Sequence, residues 1–89
     1  MAWEPKSPFE ILDYYMDWTK DLQSNETIAN SDWTVDDGVT VTQESWDDTK
    51  AVIWVTGGEK GRNYTLLNQI VTNQGRSMEK SNPLRVRNR

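Results

Sequence analysis

Alternation between apolar and polar side chains is the clearest pattern along this 89-residue chain. In residues 10–19 the apolar side chains of Leu12, Tyr14, Met16 and Trp18 are separated by more polar residues. Because successive side chains of a strand point to opposite faces, this segment is predicted to be a strand with one buried and one solvated face.

Further segments show the same kind of pattern, and turn-forming residues separate them. The predicted strands cover residues 11–19, 27–35, a stretch beginning at Val39, 50–55, 64–72 and 77–87. Residues 51–55 are apolar at every position, which predicts a central strand, whereas residues 44–49 predict a polar loop interrupted by Trp46. Frequent turns and the absence of helical periodicity predict an all-β fold, a small immunoglobulin-like antiparallel β-sandwich with an extended N-terminal arm.

Local details refine this prediction. Ile28 and Trp33 differ in parity, so both reach the core only through a bulge near residues 30–31. Pro83 cannot donate a ladder hydrogen bond, which places the last strand at a sheet edge or interrupts it there. The segments 36–38 and 57–62 contain glycine and predict hairpin turns. Tyr14, Trp18 and Trp54 are all predicted to lie in the core.

The N-terminal residues 1–9 contain two prolines and predict an extended arm, followed by a single domain over residues 10–89. Trp3 and Phe9 are large aromatic residues on that arm. They either fold back onto the sandwich or anchor into a partner, since buried aromatic residues often dominate interface energy.

Charge is distributed unevenly along the chain. Residues 1–49 carry twelve acidic and two basic residues, whereas five basic residues and one acidic residue follow from position 76 onward. The basic C-terminal residues Arg85, Arg87 and Arg89 could therefore hold the domain against an acidic neighbour, including a second copy. The alternative is a solvated surface with a frayed basic tail.

Composition excludes several classes of function. The chain has no cysteine and no histidine, which excludes histidine-based triads, thiol nucleophiles and disulfides. Its aspartate pairs lie in turn-like stretches, so no enzyme activity, metal site or cofactor is predicted. A pI of about 4.6 disfavours nucleic-acid binding. No apolar run is long enough to cross a membrane and no signal peptide is recognisable, so synthesis in the cytoplasm is expected.

Aromatic positions, glycine turns and a Gly-Arg turn recur together in six segments, residues 6–18, 26–35, 38–41, 52–58, 61–65 and 70–76. Together these segments resemble a known family of small tailed-bacteriophage virion proteins, often labelled fibre–tail adaptors. The resemblance implies an immunoglobulin-like structural protein without catalytic residues. The chain departs from the family pattern at Asn82-Pro83 and in the more acidic segment 44–50.

We therefore expect a non-enzymatic virion protein that joins fibre or neighbouring subunits to the tail, in multiple symmetric copies. The residues expected at partner contacts are Trp3, Phe9, Arg85, Arg87 and Arg89. Two alternatives remain open at this stage. One is a capsid decoration protein bound to the major capsid protein, and the other is a carbohydrate-binding module that uses Trp46 or Trp3 as a stacking platform.

Overall fold

The computed structural model of the chain describes residues 6–87 and contains only strands, turns and loops over that range. Its six strands are β1 (Leu12–Asp17), β2 (Ile28–Val35), β3 (Val39–Trp46), β4 (Lys50–Gly57), β5 (Asn63–Thr72) and β6 (Ser77–Arg85).

The strands form two three-stranded antiparallel sheets, ordered β1-β4-β3 and β2-β5-β6. Immunoglobulin domains place strands B, E and D in one sheet and C, F and G in the other. The six strands occupy those positions in chain order, from B at β1 to G at β6. The predicted all-β, immunoglobulin-like sandwich is confirmed.

Two of the predicted hairpins are instead connections between the sheets. Residues 36–38 join β2 to β3, and residues 57–62 join β4 to β5, and in both cases the two strands belong to different sheets. The glycines there do adopt positive φ, as expected, but they turn the chain across the sandwich rather than back along a neighbouring strand. The hairpins proper join β3 to β4 and β5 to β6.

Strand β3 extends further than the sequence predicts. It continues to Trp46 and pairs with β4 through that residue, so only residues 47–49 form the turn. The prediction of a loop from residue 44 was wrong because an edge strand with polar side chains on both faces lacks an apolar signal. Other details are confirmed: β2 has a register shift between Ile28 and Asn30, β4 is central in its sheet, and Pro83 lies in the edge strand β6.

The core lies between the sheets in two clusters. The first contains Tyr14, Val39, Ile53, Val55, Tyr64, Leu66, Leu84 and Val86, and the second contains Met16, Trp18, Ile28 and Ile70. Each cluster draws side chains from both sheets. Tyr14 and Trp18 are therefore core residues, as predicted.

Trp54 does not lie in the core. Within β4, Ala51, Ile53 and Val55 are buried, while Val52 and Trp54 have the opposite parity and are only partly covered. They lie on the outer face of the β1-β4-β3 sheet, where Trp54 stands between Asp13 and Gln43. The continuous apolar run of residues 51–55 therefore has two causes: β4 is the central strand of its sheet, and its outward-facing side chains are apolar although they are only partly buried.

A polar side chain links the two sheets inside the core. Asn68 of β5 is fully buried. Its Oδ1 accepts a hydrogen bond from Trp18 Nε1 at 2.8 Å, and its Nδ2 donates to Ser31 Oγ and to the Asp32 carbonyl oxygen, both at 2.9 Å. These bonds give the amide the partners that a buried polar group requires.

Candidate functional site: the terminal end

The two ends of the described chain lie side by side at one end of the sandwich. Lys6 forms a parallel bridge with Val86, directly after β6. The Lys6 N–H donates to the Arg85 carbonyl oxygen at 3.1 Å, and the Arg87 N–H donates to the Lys6 carbonyl oxygen at 2.7 Å. We call this region, comprising residues 6–11, 36–38, 57–62 and 85–87, the terminal end. The loops 18–27, 47–49 and 73–76 lie at the opposite end.

Phe9 is the most exposed large apolar side chain among the described residues, at 94%. It lies in a turn in which the Glu10 N–H donates to the Ser7 carbonyl oxygen and the Ser7 N–H donates to Glu10 Oε1, at 3.2 and 2.7 Å. Three residues span at most about 11 Å, so Phe9 lies close to the Lys6–Val86 bridge. The structure excludes the possibility that Phe9 folds back onto the sandwich.

Arg85 and Arg87 lie at the same end. Both side chains are exposed, and both alternate with the buried side chains of Leu84 and Val86. The structure therefore brings together three of the five expected contact residues, Phe9, Arg85 and Arg87. Trp3 and Arg89 lie outside the described residues.

Lys6 anchors the segment that precedes β1, a role that the sequence analysis did not predict. Its side chain is fully buried, and Nζ donates to the carbonyl oxygens of Gly57 and Ser7, both at 2.6 Å. Burial lowers the pKa of Lys6 from its ordinary value, and the charge of Glu10 partly opposes that shift. Lys6 thus ties the chain before β1 to the end of β4. The boundary at residue 9 between arm and domain stays a prediction.

The glycine loop below this bridge is tightly packed. Gly58 has a φ of 93°, and a Cβ built on it would lie 2.7 Å from Val86 Cγ2 and 3.2 Å from Tyr64 Cε2. The Glu59 N–H donates to the Tyr64 hydroxyl at 2.7 Å, and the Gly61 N–H donates to the Val86 carbonyl oxygen, also at 2.7 Å. This loop therefore packs against, and is hydrogen-bonded to, the residues that form the terminal end.

At the opposite end, a buried carboxylate that the sequence did not single out organises the loops. Glu26 Oε1 accepts from the Gln23 N–H at 2.8 Å and from Arg76 Nη1 at 3.1 Å, while Oε2 accepts from Thr72 Oγ1 at 2.6 Å. The hydrogen bond from Gln23, followed by that from Thr72, lowers the pKa of Glu26. Every one of these contacts joins parts of this chain, so the role is structural.

The edges of β1 and β6 flank a groove of about 520 Å³, lined by Tyr15, Met16, Asp17, Lys20, Lys80, Ser81 and Asn82. The contacts of Lys80 there are all within this chain: its Nζ pairs with Asp21, donates to the Asp17 carbonyl oxygen at 3.2 Å and lies 4.5 Å from the centroid of the Trp18 ring.

Within residues 6–87, no three histidine, cysteine, aspartate or glutamate side chains are grouped in a way that could hold a metal ion. The same range contains no helix long and apolar enough to cross a membrane.

Trp46 was a candidate stacking platform, and the structure places it at the end of the edge strand β3. It is 42% exposed and lies opposite Ala51, whose side chain faces the core. Trp46 therefore stands at the margin of the sandwich.

Residues 6–85 match the family model Gp77, described as podophage GP4 fiber-tail adaptor protein gp77. The chain belongs to the Gp77 family. The match confirms the resemblance to fibre–tail adaptors, and it gives no support to the capsid-decoration or carbohydrate-binding alternatives. No individual curated protein matches the chain significantly. Membership of the Gp77 family implies a structural component of the phage virion that associates with tail and fibre proteins.

Proposed function

We propose that this Gp77-family protein is a non-enzymatic adaptor that is made in the host cytoplasm and joins a fibre, or a neighbouring subunit, to the tail of the particle. In this proposal the domain of residues 10–89 is the rigid body and residues 1–9 are the arm. The observation that carries the proposal is the family match over residues 6–85.

The terminal end is the part of the described surface best suited to this task. Phe9 offers an apolar side chain that is almost completely exposed, and Arg85 and Arg87 add two exposed cations beside it. Interfaces gain most of their energy from a few aromatic and arginine side chains, and these are the residue types present here. The proposed contact residues are therefore Phe9, Arg85 and Arg87, together with Trp3 and Arg89.

The hydrogen bonds and packing around Phe9, Arg85 and Arg87 favour binding of a partner with little loss of conformational entropy in this protein. The Phe9 turn carries its own hydrogen bonds, and the Lys6 side chain and the glycine loop hold the adjoining backbone. A preformed platform loses less conformational freedom on binding than a mobile segment does. The arrangement thus fits a protein whose task is attachment.

Incorporation of variants into phage particles tests the proposal. Particles produced with Phe9→Ser in place of the native protein should lack the adaptor or the fibre, as measured by quantitative mass spectrometry and by counting fibres in electron micrographs. Val71→Ser is the matched control, because Val71 is also an exposed apolar side chain but lies near the opposite end of the sandwich. Normal fibre attachment by the Phe9 variant would contradict the role of this residue.

A truncation examines Trp3 separately from the fold. Removal of residues 1–5 retains Lys6 and its buried contacts, so the domain should fold as the native chain does. Under this proposal the truncated protein is excluded from particles or leaves them without fibres. Wild-type assembly by this truncation would remove Trp3 from the contact set.

A further inference from the structure

Four exposed cations surround the backbone of Val86 at the terminal end. We refer to them as the cationic patch, which consists of Lys60, Arg62, Arg85 and Arg87. The Val86 N–H donates to the Arg62 carbonyl oxygen at 3.0 Å, and the Gly61 N–H donates to the Val86 carbonyl oxygen at 2.7 Å. Because consecutive Cα atoms are about 3.8 Å apart, these bonds place all Cα atoms of the patch within about 14 Å of one another.

Phe9 lies beside the cationic patch. The Lys6 backbone bonds to Arg85 and Arg87 on the side of Val86 opposite residues 61–62, since neighbouring residues of a strand direct their N–H and C=O groups to opposite sides. The turn that follows Lys6 leaves the Phe9 side chain 94% exposed. The terminal end therefore presents one large apolar side chain next to a group of cations.

The remaining described cations are held by this chain or lie elsewhere. Lys6 is buried, and Arg76 and Lys80 form ion pairs with carboxylates of the same chain. Lys20 follows β1 and Lys50 begins β4, which places both toward the opposite end of the sandwich. Over residues 6–87, the cationic patch is thus the largest group of exposed cations that a partner could reach at one place.

Only one cation of the patch has an ion pair within the described chain. Arg62 Nε lies 3.1 Å from Glu59 Oε2, and both side chains are largely exposed. Among residues 6–87, no carboxylate forms an ion pair with Lys60, Arg85 or Arg87. Neighbouring like charges repel one another, so this arrangement does not stabilise the free domain. A partner that carries the opposite charge would remove the repulsion.

We propose that the terminal end binds an acidic surface of a tail or fibre protein, whose carboxylates face the cationic patch and whose apolar pocket accepts Phe9. This inference rests on the adaptor function proposed above and specifies the chemistry of the partner. Arginine forms bidentate hydrogen bonds with carboxylates, and a buried aromatic side chain with a polar rim is the common anatomy of a binding hot spot. Complementary charges of this kind also accelerate encounter and orient the two partners.

A nucleic acid is the other polyanion that could face these cations. The described residues outside the terminal end include nine acidic and four basic residues. They would repel a phosphate backbone that continues past the patch, whereas an acidic protein surface of limited size contacts the patch alone. Phe9 favours the same choice, because an apolar pocket is a feature of protein partners. The observations therefore favour an acidic protein.

The salt sensitivity of attachment in assembled particles tests this inference. Particles that carry the native protein or a variant in its place are incubated at a series of sodium chloride concentrations and sedimented. Mass spectrometry then quantifies the adaptor and the fibre that remain bound. Native particles should release one or both as the salt concentration rises, because salt screens exposed ion pairs. An attachment that is apolar alone would not weaken in this way.

Substitutions of Lys60 separate charge from shape, since no contact of this side chain within residues 6–87 holds the fold. Lys60→Glu should weaken attachment about two- to fivefold, the effect of one exposed ion pair, and so shift release to lower salt. Lys60→Arg keeps the charge and should behave as the native protein does. Lys20→Glu makes the same charge change at the opposite end and should also match the native protein. Circular dichroism checks that each variant keeps its β structure.

The outcomes distinguish this inference from the adaptor function itself. If Phe9→Ser removes the fibre while native and Lys60→Glu particles release it at the same salt concentration, the adaptor function stands and the acidic partner is ruled out. If Phe9→Ser particles keep their fibres, the terminal end is not the contact and both proposals fail. Binding of purified native protein to single-stranded DNA at about 0.15 M salt, abolished by Lys60→Glu, would assign the patch to nucleic acid and overturn the inference.

Discussion

Replacement of Asn68 by leucine should destabilise the domain strongly although the two side chains are similar in size. The Asn68 amide joins Trp18, next to β1 in one sheet, to Ser31 and Asp32 of β2 in the other. Leucine would leave the Trp18 indole N–H and the Ser31 hydroxyl in the core without their present partner. Each buried polar group left unsatisfied costs about 1–3 kcal/mol, and the added apolar burial offsets only part of this, so the expected loss is about 3 kcal/mol.

That loss is large for a domain of this size. A chain of 89 residues has a total stability of about 4–13 kcal/mol, and a loss of 3 kcal/mol lowers the melting temperature by about 12–24 °C. Thermal unfolding followed by circular dichroism measures the shift. Gln69→Leu is the matched control, because Gln69 is the next residue of β5 and faces solvent, and its effect should stay within about 0.5 kcal/mol.

A double-mutant cycle identifies the hydrogen bond responsible. Trp18→Phe removes the indole donor, so Asn68→Leu in that background should cost about 1 kcal/mol less than in the native protein. A melting temperature within about 4 °C of the native value for Asn68→Leu would refute the reasoning. Additive effects of the two substitutions would show that the Trp18–Asn68 bond contributes little.

Three other substitutions test separate parts of the structure. Hydrogen bonds lower the pKa of Glu26 below the ordinary 4.5, so its ionised form stabilises the domain above that pH, and this stability is lost as the pH falls through the folded-state pKa. In Glu26→Gln the free energy of unfolding should therefore fall less steeply between neutral and acidic pH than in the native protein. A pH dependence equal to that of the native protein would contradict this. Gly58→Ala should lower stability more than Gly61→Ala, since both have positive φ but only Gly58 would place a Cβ against Val86; equal losses in urea denaturation would exclude the clash. Partial burial and the charge of Asp32 raise the pKa of Glu44, so its ionised form destabilises the domain at pH 7. Glu44→Gln should therefore raise the melting temperature at pH 7 and have less effect in acid. A melting temperature below that of the native protein at pH 7 would contradict this.

The core of the fold was predictable because its signals are local. The alternation along residues 64–72 predicted a strand, and one of its two alternating sets, Tyr64, Leu66, Asn68, Ile70 and Thr72, is buried in β5. The opposed parity of Ile28 and Trp33 located the irregularity in β2. In each case, one buried face imposes a period of two on the sequence.

The remaining features depend on contacts distant in sequence. Local sequence could not show that residues 36–38 and 57–62 connect the two sheets, because a glycine turn can join strands of one sheet or of two. Nor could it show that Trp54 lies on the outer face of β4. The burial of Lys6 depends on the carbonyl oxygen of Gly57, 51 residues away. The exposure of Arg85 and Arg87 follows from their alternation with the buried residues Leu84 and Val86. The exposure of Phe9 instead depends on a turn that the Glu10 side chain stabilises.

The Lys6–Val86 bridge also has a mechanical consequence. Because the two segments run parallel, opposed pulling on the two ends of the chain slides one segment along the other and stretches both bridging hydrogen bonds at once. Bonds loaded together in shear resist more than bonds that open one after another. Tension transmitted through this protein would meet its first resistance at this short clamp, before any of it reached the hydrophobic interior.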